Sequence, residues 1–231
     1  MVEMQQSPAS AVLVHGSWGR PDDWRWVRQL LEERGVSVAT PDLPSHSLAD
    51  AGLTDDVAIV REAFLASPRP TVAVGWSYGC DVIGVAADGV DGVTRLVYVS
   101  SAPQPLHPDA RDDSFLDANP SLVWENGRFK LDDAWLEQSW HREFSAEVHQ
   151  YFTEHPRRFV TRRTQSDPVE EEAWRSIPTV VLIGTQDILT DAESRARARR
   201  SIEDVRDVDC DHFIPFRRPD LIVDAIMESG H

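Results

Sequence analysis

Cysteine occurs only twice, at Cys80 and Cys210, which excludes a disulfide framework. Neither thiol has a base positioned beside it by sequence, so both read as small buried packing residues. No apolar run approaches the roughly 18 residues a helix needs to cross a bilayer. Residues Met1 to Ser10 lack a basic stretch followed by an apolar core, so no secretory signal is visible and the cytoplasm is the expected compartment. Lysine is reduced to Lys130, and the formal net charge is −16. That acidity argues against nucleic acid and anionic membrane surfaces as partners. The one basic cluster, Arg195 to Arg200, reads as a solvated helix face. There is no glycine-rich phosphate loop, no Cys-x-x-Cys and no dinucleotide fingerprint after a strand. His141, His149 and His155 stand at spacings that no metal motif uses. No cofactor and no metal are therefore expected.

What is present is an ordinary globular composition, 41% hydrophobic and 27% charged over 231 residues, enough for one large domain with a substantial core. Apolar β-branched runs alternate with helical patterns. Ala11 to Val14, Val36 to Thr40, Thr71 to Val74, Leu96 to Val99, Pro178 to Gly184 and, more weakly, Val205 to Cys210 read as strands. Helices fall between them. One begins near Pro21, one is capped by Thr54 and carries Val57, Val60 and Phe64 inward, and one opens with Thr190-Asp191-Ala192-Glu193 as a capping box; Leu221 to Met227 is a terminal amphipathic helix. The alternation predicts a mostly parallel sheet of about six strands with helices on both faces, an α/β class. Between about Gln104 and Arg175 the rhythm stops. This stretch carries helical fragments rich in aromatics, among them Trp124, Trp135, Trp140 and Phe152. Residues 104–175 are expected to form a helical lid over the carboxyl edge of the sheet, within a single domain spanning 1–231.

The chemistry centres on Gly75-Trp76-Ser77-Tyr78-Gly79. A strand before it and a helix after it make the nucleophile-elbow pattern, a tight turn that lifts a serine hydroxyl to a helix N-terminus. A serine needs a base, usually a histidine oriented by a carboxylate. Asp187 follows the strand ending at Gly184, and His212 follows the last strand. The order Ser, Asp, His and the position of each after a strand fit a triad of Ser77, Asp187 and His212. Asp209 and Asp211 compete as the acid, but as near neighbours of His212 they have difficulty reaching its Nδ1. Two backbone N–H groups are expected to receive an oxyanion, those of Tyr78 and of Ser17 in the loop His15-Gly16-Ser17-Trp18. His15 reads as a brace for that loop. Trp18 and Trp76 are the expected substrate contacts.

Taken together, these segments resemble the α/β-hydrolase superfamily over nearly the whole chain outside 104–175. His15-Gly16-Ser17-Trp18 with Trp24, Pro41-Asp42-Leu43-Pro44, the elbow, and Asp211-His212-Phe213 are similar to the small esterase and hydroxynitrile-lyase branch, which includes plant methyl-ester hydrolases. The tryptophan before the serine also resembles bacterial carboxylesterases. The resemblance implies the six-stranded sheet, the triad and a helical cap. Two departures matter. The lyases place a lysine after the catalytic histidine, where this chain has Phe213, and the family's common Gly-His-Gly is here Ser45-His46-Ser47. The expected activity is a serine hydrolase acting on a carboxylic ester of a small or medium apolar substrate through an acyl-enzyme. A lyase or cyclase on the same scaffold, a thioesterase and a non-catalytic receptor remain alternatives. The partner is a small-molecule ester; the oligomeric state is open.

Overall fold

Strand β1 (Ser10–Val14) lies one strand in from the edge of the main sheet, with all five residues buried. In this computed structural model, residues 7–103, 109–139, 144–170 and 172–228 are described. The chain continues through a 3₁₀ turn (Pro21–Trp24) into α1 (Arg25–Glu32), β2 (Ser37–Ala39), α2 (Leu53–Ala66), β3 (Thr71–Trp76), α3 (Tyr78–Ala86) and β4 (Val93–Val99). An excursion follows: α4 (Phe115–Ala118), β5 (Leu122–Glu125), β6 (Arg128–Leu131), α5 (Asp133–Ser139), α6 (Ala146–Glu154), β7 (Val160–Thr161) and α7 (Arg163–Ser166). The alternation resumes with β8 (Thr179–Gly184), α8 (Ala192–Ser201), β9 (Asp204–Val208), α9 (Ile214–Arg217) and α10 (Pro219–Met227).

The main sheet has six strands in the order β2-β1-β3-β4-β8-β9, and every pairing in it is parallel. Because both faces are covered, its inner strands are continuous apolar runs instead of alternating ones. The pleat still sorts them. Ala11 and Leu13 pack in one layer with Val27, Leu31 and Ile222, while Val12 and Val14 pack in the other with Phe64, Ile83 and Ala198. With a layer of core on each face of an all-parallel sheet, ligands are expected at the carboxyl ends of the strands.

Three expectations change. Helix α2 is not capped by Thr54: Gly52 is its N-cap residue, and the first-turn Leu53 N–H donates to Asp167 Oδ2 at 3.0 Å. A carboxylate from far along the chain does what the local pattern assigned to Thr54. Helix α8 is N-capped by Asp191, whose side chain accepts from Ser194 N–H at 2.7 Å, so Thr190 is outside the cap. The excursion is not purely helical, for β5, β6 and β7 form a three-stranded antiparallel sheet. Its hairpin turns at Asn126-Gly127, with φ of 51° and 74°, the left-handed pair a two-residue turn requires. Gln104, Trp140 and His141, which figured in the expectations for this stretch, lie outside the described residues, as does the lead-in up to residue 6.

Candidate active site

Strand β3 ends at Trp76 and α3 starts at Tyr78, so Ser77 alone turns the chain, at φ 54° and ψ −121°. A non-glycine residue held there costs on the order of 1–3 kcal/mol. Its neighbours enforce it. Ser77 N–H donates to Val99 O, and Cys80 N–H donates to Ser77 O, both at 2.9 Å. The first turn of α3 also passes against the end of β1: a Cβ on Gly79 would lie 2.2 Å from the Val14 carbonyl oxygen. Only glycine lets the helix pass that close.

The loops after β8 and β9 meet at Gly184, where a Cβ would sit 2.4 Å from the carbonyl oxygens of both Cys210 and Asp211. That approach brings Asp187 and His212 together, Nδ1 to Oδ2 at 2.9 Å, with both residues buried. Burial alone would raise the Asp187 pKa. The hydrogen bond and charge of His212, with bonds from the Thr190 hydroxyl and the Leu189 N–H, outweigh burial and hold the carboxyl below its ordinary value. An ionised Asp187 accepts a hydrogen bond from Nδ1–H, which fixes the ring's orientation and sets Nε2 on the side away from the carboxylate. The competing acids are engaged elsewhere. Asp211 holds the Arg217 guanidinium at 2.9 Å and 3.0 Å, and Asp209 accepts from Gln186.

Ser77 and His212 face a common cavity of about 330 Å³, whose walls include Ser17, Trp18 and Tyr78. A side nook of about 20 Å³ adjoins it at the same serine and histidine, lined also by Gly16, Trp76 and Leu136. Ser17, Trp18, Ser77, Tyr78 and His212 are therefore brought to one space. Asp187 stands behind His212. Trp76 is buried and touches only the nook, and its indole N–H donates to the His212 carbonyl at 2.9 Å. His15 lines neither cavity. It is fully buried, with Nδ1 on the Gly16 carbonyl at 3.0 Å and Nε2 receiving Leu43 N–H at 3.3 Å, which makes it the brace that the sequence suggested.

Several side-chain contacts around the pair escaped the sequence reading. The Thr190 hydroxyl donates to Asp187 Oδ2 at 2.8 Å. The Ser100 hydroxyl, beside Trp76, donates to the His212 carbonyl at 2.9 Å. Tyr78, whose amide opens α3, has its hydroxyl fixed on Asp56 Oδ2 at 2.7 Å. Burial pushes the Asp56 pKa up, against hydrogen bonds from Ser45 and Tyr78 that pull it down. The basic cluster is not simply a solvated face. Arg195 donates to the carbonyls of Thr190, Gly184 and Asp187 at 3.0 Å, 2.9 Å and 2.7 Å, clamping the loop that carries Asp187. Arg197 donates to the Pro103 carbonyl at 3.2 Å. The one local signal available was Asp187 itself, whose Oδ1 accepts the Leu189 N–H two residues on at 2.8 Å as in an Asx turn and so brings Thr190 within reach of Oδ2. Cys80 is fully buried, and burial and the Asp211 charge push the Cys210 thiol up to about 12, so both are packing residues. Among the described residues no three His, Cys, Asp or Glu side chains converge as metal ligands, and no helix is long and apolar enough to cross a membrane.

A model of the alpha/beta hydrolase family matches residues 11–225. Among solved structures, an extracellular alpha/beta-hydrolase from a Paenibacillus species, described as sharing structural and functional homology with tobacco salicylic acid binding protein 2, superposes with a TM-score of 0.78 at 18% identity, covering 97% of this chain and 100% of that one. Tomato methylketone synthase I in complex with 2-tridecanone gives 0.74 at 18% identity, with 96% and 97% covered. A pyrethroid hydrolase from Sphingobium faniae JZ-2 gives 0.72 at 20% identity, with 94% and 95% covered. No curated protein sequence matches. At these identities the structural likenesses speak for the fold. The chain belongs to the alpha/beta hydrolase family.

Proposed function

We propose that this member of the alpha/beta hydrolase family is a serine esterase, hydrolysing a carboxylic ester of a small or medium, largely apolar molecule through an acyl-enzyme. One observation carries the reading: a strained serine at a helix N-terminus shares a cavity with a histidine whose far nitrogen is held by a buried, ionised aspartate. In the proposed sequence, Ser77 Oγ attacks the ester carbonyl carbon as His212 Nε2 takes its proton. The amides of Ser17 and Tyr78 receive the charge that develops on the carbonyl oxygen. His212 then gives the proton to the departing alcohol, and a water repeats the steps to free the acid and restore Ser77. Asp187 keeps Nδ1 protonated and stabilises the imidazolium. The excursion acts as a cap: Phe129 and Leu131 of its hairpin, with Trp18, supply the apolar wall that excludes water from the reacting atoms.

The test is intact-mass analysis after exposure to a fluorophosphonate. One adduct on the wild-type protein, mapped to Ser77 and absent from Ser77→Ala, is the expected result. Hydrolysis of short p-nitrophenyl esters should fall at least about 10⁴-fold in Ser77→Ala. Folded protein that takes no adduct and turns over no ester would overturn the reading.

A further inference from the structure

The cavity lining is chemically mixed. It includes apolar side chains of the hairpin, Leu122, Phe129 and Leu131, and also a charged pair, Arg111 and Asp81. Arg111 Nη1 stands 3.2 Å from Asp81 Oδ2, and the two side chains are 16% and 9% exposed. This guanidinium is fixed on its other edges. Its Nε donates to the Asp167 carbonyl at 2.9 Å and Nη2 to the Thr164 carbonyl at 2.8 Å, while its own backbone N–H is held by the Ser166 carbonyl at 2.9 Å. A guanidinium has five N–H groups. Three are used in these side-chain bonds, which leaves one on each Nη without an acceptor among the described residues. Leaving such donors unanswered in a low-dielectric wall is costly.

We infer that this pair is a specificity subsite, receiving a neutral hydrogen-bond-accepting group, such as a second carbonyl or a hydroxyl, at the far end of the substrate's acyl chain. The inference rests on the esterase reading for the word substrate, but the subsite is a binding claim in its own right. Neutrality follows from Asp81, which already balances the guanidinium. A carboxylate arriving there would meet the Asp81 charge as well as Arg111, in a protein of net charge −16. Position follows from α3. Asp81 is four residues beyond Ser77, about 6 Å along the helix at 1.5 Å per residue. The accepting group therefore belongs about four to five bonds from the ester carbonyl carbon.

The experiment uses Ser77→Ala protein, which separates binding from turnover, and NMR titration with three probes: methyl hexanoate, methyl 5-oxohexanoate and monomethyl adipate. The keto ester is expected to bind about tenfold tighter than the hexanoate, the size of one hydrogen bond to a charged donor. Adding Arg111→Gln should bring the two dissociation constants together, and Arg111→Lys should restore only part of the difference, since an ammonium lacks the fork. Adding Asp81→Asn should tighten monomethyl adipate about tenfold relative to the keto ester. Melting temperatures confirm that each variant is folded; if Arg111→Gln is not, the Asp81→Asn arm and the comparison in Ser77→Ala alone still decide. Equal binding of the keto ester and hexanoate, or a preference that survives Arg111→Gln, overturns the subsite. Failure of wild-type protein to hydrolyse any of the esters, with the Arg111-dependent preference intact, overturns the esterase reading and leaves the subsite standing.

Discussion

The sheet and the cap are held by different physics. The sheet is fixed by apolar strands and by backbone passing against backbone, with no room for so much as a methyl at Gly79 or Gly184. The cap is fastened to it by arginines and carboxylates. Arg157 makes a two-pronged bond to the buried Asp23 at 2.9 Å on each oxygen, and the Tyr151 hydroxyl joins the same carboxylate at 2.6 Å. Arg158 reaches Asp42, Arg111 reaches Asp81, and Arg128 donates to the His46 carbonyl. Aromatics fill the seam, with Phe144 stacked on Phe152 and both close to Phe213 and Phe216. One half tolerates no change of volume; the other depends on pairs of charges that must both be present. Strand ends of the sheet carry Ser77, Asp187 and His212, and the stretch between β4 and β8 adds Phe129 and Leu131 to the walls of the cavity that Ser77 and His212 line.

That contrast can be broken in order of expected effect. Gly79→Ala puts a methyl 2.2 Å from a backbone oxygen, and it should cost more than about 4 kcal/mol or abolish soluble expression. Gly127→Ala in the cap hairpin, where the added atom meets nothing within 4 Å but φ is 74°, should cost only about 1 kcal/mol in the same urea titration. Next in size is Asp23. Its pKa is held down because Arg157, with Tyr151, outweighs the penalty of burial. Asp23→Ala should cost about 3–5 kcal/mol by leaving Arg157 buried and unpaired, and the double variant with Arg157→Met should recover part of it. Additive losses would mean that the cap is not held by this pair. Arg195→Met leaves the core untouched, so its unfolding free energy should move by less than about 1 kcal/mol. Its kcat should nonetheless fall about tenfold with KM little altered, because the Asp187 loop loses its clamp.

The smallest effect is the titration of Asp187. Its folded pKa lies below the unfolded value near about 4. The carboxylate therefore contributes stability that is present above pH of about 4 and is lost as the pH falls through the folded value. Thermal melts from neutral to acid pH should show the gap between the wild type and Asp187→Asn narrowing below about pH 4. A gap that stays constant through that range would show that Asp187 is not ionised in the folded protein.

The same contrast explains what the sequence could disclose. Strands β1, β3 and β8 are short, apolar after a first Ser or Thr, and bounded by loops, because a two-sided sheet leaves them no polar face. The elbow, Asp187 and His212 were legible because chain order and strand ends locate them without knowledge of tertiary contacts. The cap was not. Asp23 and Arg157 are separated by 134 positions, and no local pattern links such a pair. Its hairpin did announce itself in Asn126-Gly127, but β5 leaves Val123 and Trp124 exposed, so the surrounding alternation was weak. Thr190 was misread for a related reason. A threonine there suits both a helix cap and a hydroxyl bond back to a nearby carboxylate, and Asp187 decides between them. Arg195 sits among five residues of similar composition, and only the folded loop distinguishes it.

Gly184 has a consequence beyond geometry. Every single-residue change there adds a carbon where two carbonyl oxygens already stand, so the position is closed whatever molecule the enzyme is asked to accept. Phe115 and Leu116, by contrast, line the cavity from the cap and can be exchanged without touching the loops that carry Asp187 and His212. For laboratory evolution the molecule therefore divides itself: libraries that randomise 184 return only the parent, while diversity spent on the cap wall searches new substrates at little risk to the chemistry.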